Sequence, residues 1–329
     1  MNIALIGLGS MGKRRLRLLK KHFYNLNIYG VDSNSERRLF CEKEYNIETF
    51  LDFKNLITNV KVDSAFICTS PLSHSKIISQ CLENNIHVFT ELNLVSDGYE
   101  KNIALSMEKK LILFLSSTAL YRKETEYIIE VVKEDKNPVC YNYHVGQYLP
   151  DWHPWEKYND FFVGNRRTNG CREILAIELP WIIAAFGKIE NMHVITGKAT
   201  SLDIEYNDYY MIHFIHENGS IGNLIIDVVC REAVRKLEVF NENLYIEWQG
   251  SPNSLKIKNL DTKKLDALNL YEIIDKLDSY SNTIIENQYL DEIKAFFSEI
   301  NGKHISKYSF RDDYYTLELI DRIERNITK

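Results

Sequence analysis

The chain has 329 residues, 45% of them hydrophobic, and a formal net charge of -6. This length predicts two domains with sizeable cores, and the acidic balance gives no electrostatic reason to expect nucleic acid or an anionic membrane as a partner. The apolar runs are too short for a signal peptide or a membrane span, and the six cysteines are scattered without a CxxC pair, so we expect a cytoplasmic protein with no disulfide and no structural metal.

The N-terminal segment has the order strand, glycine turn, helix, strand and acid. Residues 1–6 are a short apolar run, a GxGxxG turn follows, and a second apolar run ends at Asp32. The three glycines of such a turn permit a tight bend, let a pyrophosphate approach the backbone, and allow close packing of helix and strand. An ordinary strand-to-helix turn is the alternative interpretation. The order of elements favours a dinucleotide site made of Gly7, Leu8, Gly9, Ser10, Met11, Gly12, Asp32 and Ser33.

The choice between NAD and NADP depends on the acid that follows the second strand. Asp32 can accept hydrogen bonds from the adenosine ribose, and its charge repels a 2′-phosphate, so we expect NAD. Arg37 and Arg38 follow a few residues later and leave NADP open, although arginines at the start of a helix are more often solvated.

Strands and helices alternate to about residue 120, and this alternation predicts a doubly wound parallel sheet, the Rossmann α/β fold. After that point the strands become longer, aromatic and alternating, and turns such as 217–219 and 241–243 connect them. We therefore predict a Rossmann domain over residues 1–119 and an α+β domain over residues 120–329, built on a large, mostly antiparallel open sheet. Helices at 122–133, 172–185, 282–300 and 311–328 are expected to cover one face of that sheet.

Short motifs along nearly the whole chain resemble those of the Gfo/Idh/MocA family of NAD(P)-dependent dehydrogenases. They are GLGSMG at the start, a TSPxxH loop at 69–74, HVFTE at 87–91, Tyr121-Arg122, and YLDEIKAFF at 289–297. The resemblance implies activity on sugars, inositols or nucleotide sugars. It also implies that the nicotinamide end of the cofactor contacts Thr69, Ser70, Pro71, His74, Glu91, Leu92 and Asn93.

The chain departs from the family pattern at the groups that move protons. The family has a lysine where this chain has Leu92, and a D-x-x-x-H-x-x-D helix motif whose first acid falls on Glu173, whose histidine falls on Ile177 and whose second acid falls on Pro180. The side chains of leucine and isoleucine have no group that can take up or release a proton. If the chain is a dehydrogenase, another side chain must take or give the hydroxyl proton.

The segment 145–158 is rich in Trp, Tyr, His and Asp, the residue types that stack on sugar rings and bind their hydroxyls. His153 is our first candidate for the acid–base group because its ordinary pKa is near neutral, with Tyr148 and Lys157 after it. The alternative is that the tryptophans cap a core and His153 is a surface residue. The predicted substrate contacts are Trp152, Arg166, Arg167, Arg172 and Glu173, although a charged loop is usually a solvated surface.

The sequence thus predicts an NAD-dependent oxidoreductase of a sugar-like substrate. The resemblance adds a nucleotide sugar or amino sugar of surface-glycan synthesis as the substrate class, and a homodimer or homotetramer formed through the C-terminal sheet. Tyr141 and Tyr143 suit such an interface, and packing within one chain explains them equally well. Two other hypotheses stay open: a cofactor-binding sensor or partner subunit without hydride transfer, and a lyase or hydrolase that uses NAD without net redox change.

Overall fold

The computed structural model describes residues 1–152, 156–277 and 283–326. Contacts between Cα atoms divide the chain into two compact units. The first unit contains Met1–Ser117 and Tyr289–Tyr314, and the second contains Thr118–Gln288 and Tyr315–Lys329.

The elements of the N-terminal part alternate between strand and helix. They are β1 (Asn2–Ile6), α1 (Ser10–His22), β2 (Asn27–Val31), α2 (Ser35–Tyr45), β3 (Glu48–Phe50), α3 (Phe53–Asn59), β4 (Ser64–Ile67), α4 (Pro71–Glu83), β5 (His87–Thr90), α5 (Tyr99–Lys109) and β6 (Leu113–Leu115). All pairings are parallel and the strand order is β3-β2-β1-β4-β5-β6. This sheet confirms the predicted Rossmann fold, and the short pair β3 and α3 adds to it.

The rest of the chain is richer in strands. Its elements are α6 (Lys123–Asp135), β7 (Cys140–Gly146), α7 (Gly170–Phe186), β8 (Ile189–Gly197), β9 (Tyr209–His216), β10 (Ile221–Asp227), β11 (Val234–Phe240), β12 (Tyr245–Trp248), β13 (Lys256–Lys258), β14 (Leu265–Ala267), α8 (Asn287–Ile300) and α9 (Phe310–Glu324). The eight strands form one sheet in the order β14-β13-β12-β11-β7-β10-β9-β8. All pairings are antiparallel except β7 with β10, which confirms the predicted mostly antiparallel sheet.

Helix α8 packs on the Rossmann sheet, so our expectation that it covers the antiparallel sheet is wrong. Phe296 is fully buried and makes edge contacts with three aromatic rings of that sheet, those of Phe66, Phe89 and Phe114. The helical period of α8 marks an apolar face, but a one-sided face fits any apolar sheet surface, and the sequence does not say which.

Helix α7 covers one face of the large sheet and fixes the two tyrosines of β7. The Tyr141 ring stacks on Phe186 at 4.2 Å, and Tyr143 makes an edge contact with Trp181. Both tyrosines are buried within the unit, so their contacts are intramolecular. None of the helices in the described part of the chain has the length and apolarity needed to cross a membrane.

Candidate cofactor and substrate sites

The glycine turn between β1 and α1 is shaped by two different requirements. A Cβ atom on Gly12 would lie 1.9 Å from the carbonyl oxygen of Gly7, and Gly7 itself has φ of +94°. The protein's own packing therefore requires both glycines. At Gly9 the nearest atom to an added Cβ is Arg37 Nη1 at 3.8 Å, so the space there is open. That open space lies at the N-terminus of α1, where backbone N–H groups favour a phosphate, and it fits a dinucleotide.

Asp32 is anchored beside this turn by two backbone amides. Leu8 N–H donates to Oδ2 and Asn34 N–H donates to Oδ1, each at 2.8 Å. Arg37 Nη1 lies 3.8 Å from Oδ2 on a side chain that is half exposed, whereas Arg38 Nη1 donates to the backbone carbonyl of Asp32 at 2.7 Å. A carboxylate at this place after β2 favours a free ribose hydroxyl over a 2′-phosphate.

The second cofactor loop is held together by a buried histidine. His74 lies in α4, with Nε2 2.9 Å from the Thr69 carbonyl oxygen and Nδ1 2.7 Å from the side-chain oxygen of Asn93. Burial lowers the pKa of His74, while the contacts with Asn93 and Thr69 act in the opposite direction. His74 thus ties the loop after β4 to the loop after β5, and its ring nitrogens are occupied in doing so.

Glu91 is held by a buried ion network that the sequence did not reveal. Arg15 is fully buried; its Nε donates to Glu91 at 2.6 Å and its Nη2 donates to Glu292 at 2.6 Å. Ser116 Oγ and Ser117 N–H also donate to Glu292, the latter at 2.7 Å. Burial by itself would lower the pKa of Arg15, but the two carboxylates hold it above its ordinary value. Glu91 therefore fixes the loop that carries Leu92 and Asn93.

Helix α7 begins with a capped turn that carries the predicted acid. The Asn169 side chain accepts a hydrogen bond from Arg172 N–H, as an N-cap residue does. Between Gly170 and Ile182, Glu173 and Ile177 are the two residues that are not buried. They are four residues apart and lie on one side of the helix. Desolvation of the carboxyl group by the surrounding protein raises the pKa of Glu173 to about 7.

The three predicted arginines have different environments. Arg172 is buried and pairs with Glu324 at 2.6 Å and with Asp321 at 2.7 Å. The prediction of a substrate contact for Arg172 is therefore corrected, because its guanidinium anchors α7 to α9. Arg166 and Arg167 are exposed and lie just before the capped turn.

The structure describes only part of the segment that was predicted to carry the acid–base group. His153 lies outside the described residues. Lys157 is exposed, and the half-buried Tyr148 has the guanidinium of Arg231 4.1 Å above its ring. Trp152 donates its indole N–H to the Gln147 carbonyl at 3.0 Å. A Cβ atom on Gly170 would lie 3.4 Å from the Trp152 ring, so this ring packs at the start of α7.

A titratable pair at the ends of β7 and β10 also escaped the sequence analysis. His144 Nε2 lies 2.7 Å from Asp227 Oδ2, and Asp227 Oδ1 accepts from the amides of Val229 and Cys230. Burial raises the pKa of Asp227, but these hydrogen bonds outweigh it and the net pKa is lowered. This pair could not be predicted from the sequence because β7 and β10 are far apart in the chain and are brought together only by their parallel pairing in the sheet. Asp227 shapes the loop beside the 147–152 segment.

Comparisons with known proteins agree with this geometry. Residues 1–113 match the Gfo/Idh/MocA model, described as an oxidoreductase family with an NAD-binding Rossmann fold. A myo-inositol 2-dehydrogenase from Thermotoga maritima is 28% identical over 137 residues, which cover 40% of this chain and 41% of that protein.

Two solved structures share the fold of almost the whole chain. One is an oxidoreductase from Agrobacterium radiobacter in complex with NAD⁺, L-tartaric acid and magnesium, with TM-score 0.81, 13% identity and coverage of 99% of this chain and 96% of that one. The other is a UDP-N-acetylglucosamine 3-dehydrogenase from Acidithiobacillus ferrooxidans, with TM-score 0.76, 17% identity and coverage of 99% and 97%. Residues 1–113 are therefore similar to the NAD-binding Rossmann domain of the Gfo/Idh/MocA oxidoreductase family.

Proposed function

We propose that the chain is a cytoplasmic NAD-dependent dehydrogenase that oxidises a secondary hydroxyl of a sugar-like substrate, or reduces the corresponding ketone. The observation that carries this proposal is the open space at Gly9, set between two glycines that the packing itself requires. Asp32, fixed by two backbone amides, supports NAD as the cofactor. Bound NAD supplies the carbon that accepts or gives a hydride.

The substrate class rests on the relatives and on the groups near the start of α7. The relatives named above act on myo-inositol and on UDP-N-acetylglucosamine. In this chain, the Trp152 ring offers a stacking surface for a sugar ring, and the exposed Arg166 and Arg167 suit a phosphate. Together these features favour a nucleotide sugar or amino sugar, in keeping with surface-glycan synthesis.

The family's lysine and histidine are replaced, so the proton must move through another group. His153, Tyr148 and Lys157 stay our sequence-based proposals for that role. The same replacements favour a second candidate function, a cofactor-binding sensor or partner subunit without hydride transfer, because Leu92 and Ile177 cannot move a proton.

We also propose that the uncovered face of the large sheet forms a homodimer or homotetramer. Apolar side chains on neighbouring strands are 42–50% exposed on this face: Ile195, Met211, Ile215 and Ile221. Ile221→Lys is expected to shift the mass measured by light scattering toward the monomer. An unchanged mass would show that this face is free.

The experiment for the activity has two arms. Titration of NAD and NADP by calorimetry tests the cofactor, and absorbance of NADH tests oxidation of myo-inositol and UDP-N-acetylglucosamine with the wild-type protein. NAD binding with turnover of a probe supports the dehydrogenase. Tight NAD binding without turnover of either probe favours the sensor or partner subunit.

A further inference from the structure

The carboxyl edge of the Rossmann sheet is divided between two groups of strands. In the order β3-β2-β1-β4-β5-β6, Asp32 follows β2 on one side of the glycine turn, and residues 91–93 follow β5 on the other. A doubly wound sheet consists of two mononucleotide-binding halves, and a dinucleotide lies across the point where the strand order reverses. With the adenosine at Asp32, we therefore expect the nicotinamide half of NAD at the loops after β4 and β5.

The loop after β5 is held by a buried contact on each side of an accessible residue. Glu91 accepts a hydrogen bond from Arg15 Nε at 2.6 Å, and Asn93 Oδ1 lies 2.7 Å from His74 Nδ1. Glu91 and Asn93 are both buried, whereas Leu92 between them is half-exposed. A loop that is already ordered loses little conformational entropy when a ligand binds to it, so both anchors favour binding at Leu92.

Arg15 joins this loop to α1, α8 and the end of β6, all within the first unit. It belongs to α1, whose N-terminus borders the open space at Gly9. Its Nη2 donates to Glu292 of α8 at 2.6 Å and to Ser116 Oγ at 3.2 Å. Its Nη1 donates to the Tyr289 carbonyl at 2.8 Å. A planar guanidinium presents donors in several fixed directions, whereas a lysine ammonium is a single point charge, so a lysine would not replace these contacts.

We propose that Arg15 and Glu292 are positioning residues for the nicotinamide half of the cofactor, an inference that rests on the proposed use of NAD. Both side chains are fully buried, so they act through the loop that Glu91 anchors. Arg15 fixes Glu91, and Glu292 fixes Arg15. The adenosine half is held by other groups, the glycine turn and Asp32. Loss of the network therefore weakens the binding of NAD more than that of a ligand that carries the adenosine half alone.

The test compares Arg15→Lys with Arg17→Lys, the same change at a half-exposed position of α1. Each variant is titrated by calorimetry with NAD and with ADP, which lacks the nicotinamide riboside. Arg15→Lys is expected to weaken NAD binding about tenfold and ADP binding less than about twofold, because only NAD uses the loop after β5. Arg17→Lys should change neither dissociation constant.

Glu292→Gln is the second variant, because it removes a carboxylate charge and keeps a carbonyl oxygen that can accept from Ser117 N–H. The same preferential loss of NAD binding is expected. Hydrogen exchange of the wild type adds a measurement that needs no variant. Because the network connects the loop after β5 to the end of β6, NAD should slow exchange of the backbone amides of 91–94 and of 116–117 more than ADP does.

Three results would overturn the proposal. They are equal weakening of NAD and ADP binding by Arg15→Lys or Glu292→Gln, unchanged NAD binding by these variants, and equal protection of the two segments by NAD and ADP in the wild type. Each would mean that the network only stabilises the Rossmann unit. A wild-type protein that binds neither NAD nor ADP would instead overturn the proposed cofactor function itself.

Discussion

Two glutamates, Glu292 in α8 and Glu173 in α7, have a similarly raised pKa in different surroundings. For each, burial is the largest cause and the pKa is raised to about 7. Glu292 is fully buried and accepts hydrogen bonds from Arg15, Ser116 and Ser117. Glu173 has no donor among the described residues and keeps an exposed edge.

The difference separates a carboxyl group that is fixed by hydrogen bonds within the fold from one that is only partly buried. Leaving a buried polar group without a partner costs free energy, so natural proteins satisfy most such groups within the structure. The Rossmann unit follows this rule at Glu292. Glu173 in the second unit is instead only partly buried, so part of its side chain remains accessible to water.

Removing the cation of the satisfied network is the strongest way to test this comparison. Arg15→Met leaves Glu91 and Glu292 buried without their shared partner, and we expect the free energy of unfolding to fall by about 3–5 kcal/mol. Urea unfolding followed by circular dichroism measures it. Lys20→Met, at an exposed site of the same helix, should change it by less than about 0.5 kcal/mol. Equal stability of the two variants would show that the network contributes little.

The sequence predicted the Rossmann unit well because its signals are local. The glycine turn, Asp32 and the strand–helix alternation lie within short segments, and parallel strands bring their carboxyl ends to one edge of the sheet. The Arg15 network was missed because its partner Glu292 is 277 residues away in sequence. Nothing in an amphipathic helix near the C-terminus indicates that it packs on the first sheet.

The second unit was harder to predict at the level of single residues. Its strands were found from their alternation, but alternation does not say which face is covered, and so Tyr141 and Tyr143 stayed ambiguous until α7 was seen on them. Arg172 looked like a substrate ligand because its acidic partners belong to a helix about 150 residues later. Whether a charged residue has a partner is a property of the folded chain.

In the glycine turn, the space next to Gly12 is filled by the protein itself, whereas the space next to Gly9 is open. Gly12→Ala should lower the free energy of unfolding by about 1–3 kcal/mol, since its Cβ would overlap the Gly7 carbonyl. Gly9→Ala should unfold almost like the wild type and bind NAD much more weakly, because its Cβ enters the open space instead. Thermal unfolding and NAD titration of both variants check this. Normal NAD binding by Gly9→Ala would show that no pyrophosphate lies there.

Asp32 has a structural role and a proposed cofactor-binding role. Its carboxylate accepts hydrogen bonds from two backbone amides, and we expect the same carboxylate to bind the ribose of the cofactor. We expect Asp32→Ala to weaken NAD roughly tenfold or more, through loss of charged hydrogen bonds to the ribose. NADP should weaken less, since a charge that repels the 2′-phosphate is also removed. Calorimetric titration measures the binding of both cofactors. Arg37→Ala is the comparison variant, because it removes a cation near Asp32 instead of the anion. Equal losses for NAD and NADP would mean that Asp32 does not read the ribose.

The smallest effect concerns the stability cost of Glu173. Its pKa is raised from 4.5 to about 7, so between these values the folded state binds more protons than the unfolded state. Stability contributed by the protonated form is therefore present below pH 4.5 and is lost as the pH rises through 7. Glu173→Gln should thus unfold like the wild type at acidic pH and be more stable by about 1 kcal/mol at pH ~8. Urea unfolding at both pH values, with Glu217→Gln as the control, measures the difference. A loss of stability at pH ~8 would reveal a partner that holds the carboxylate.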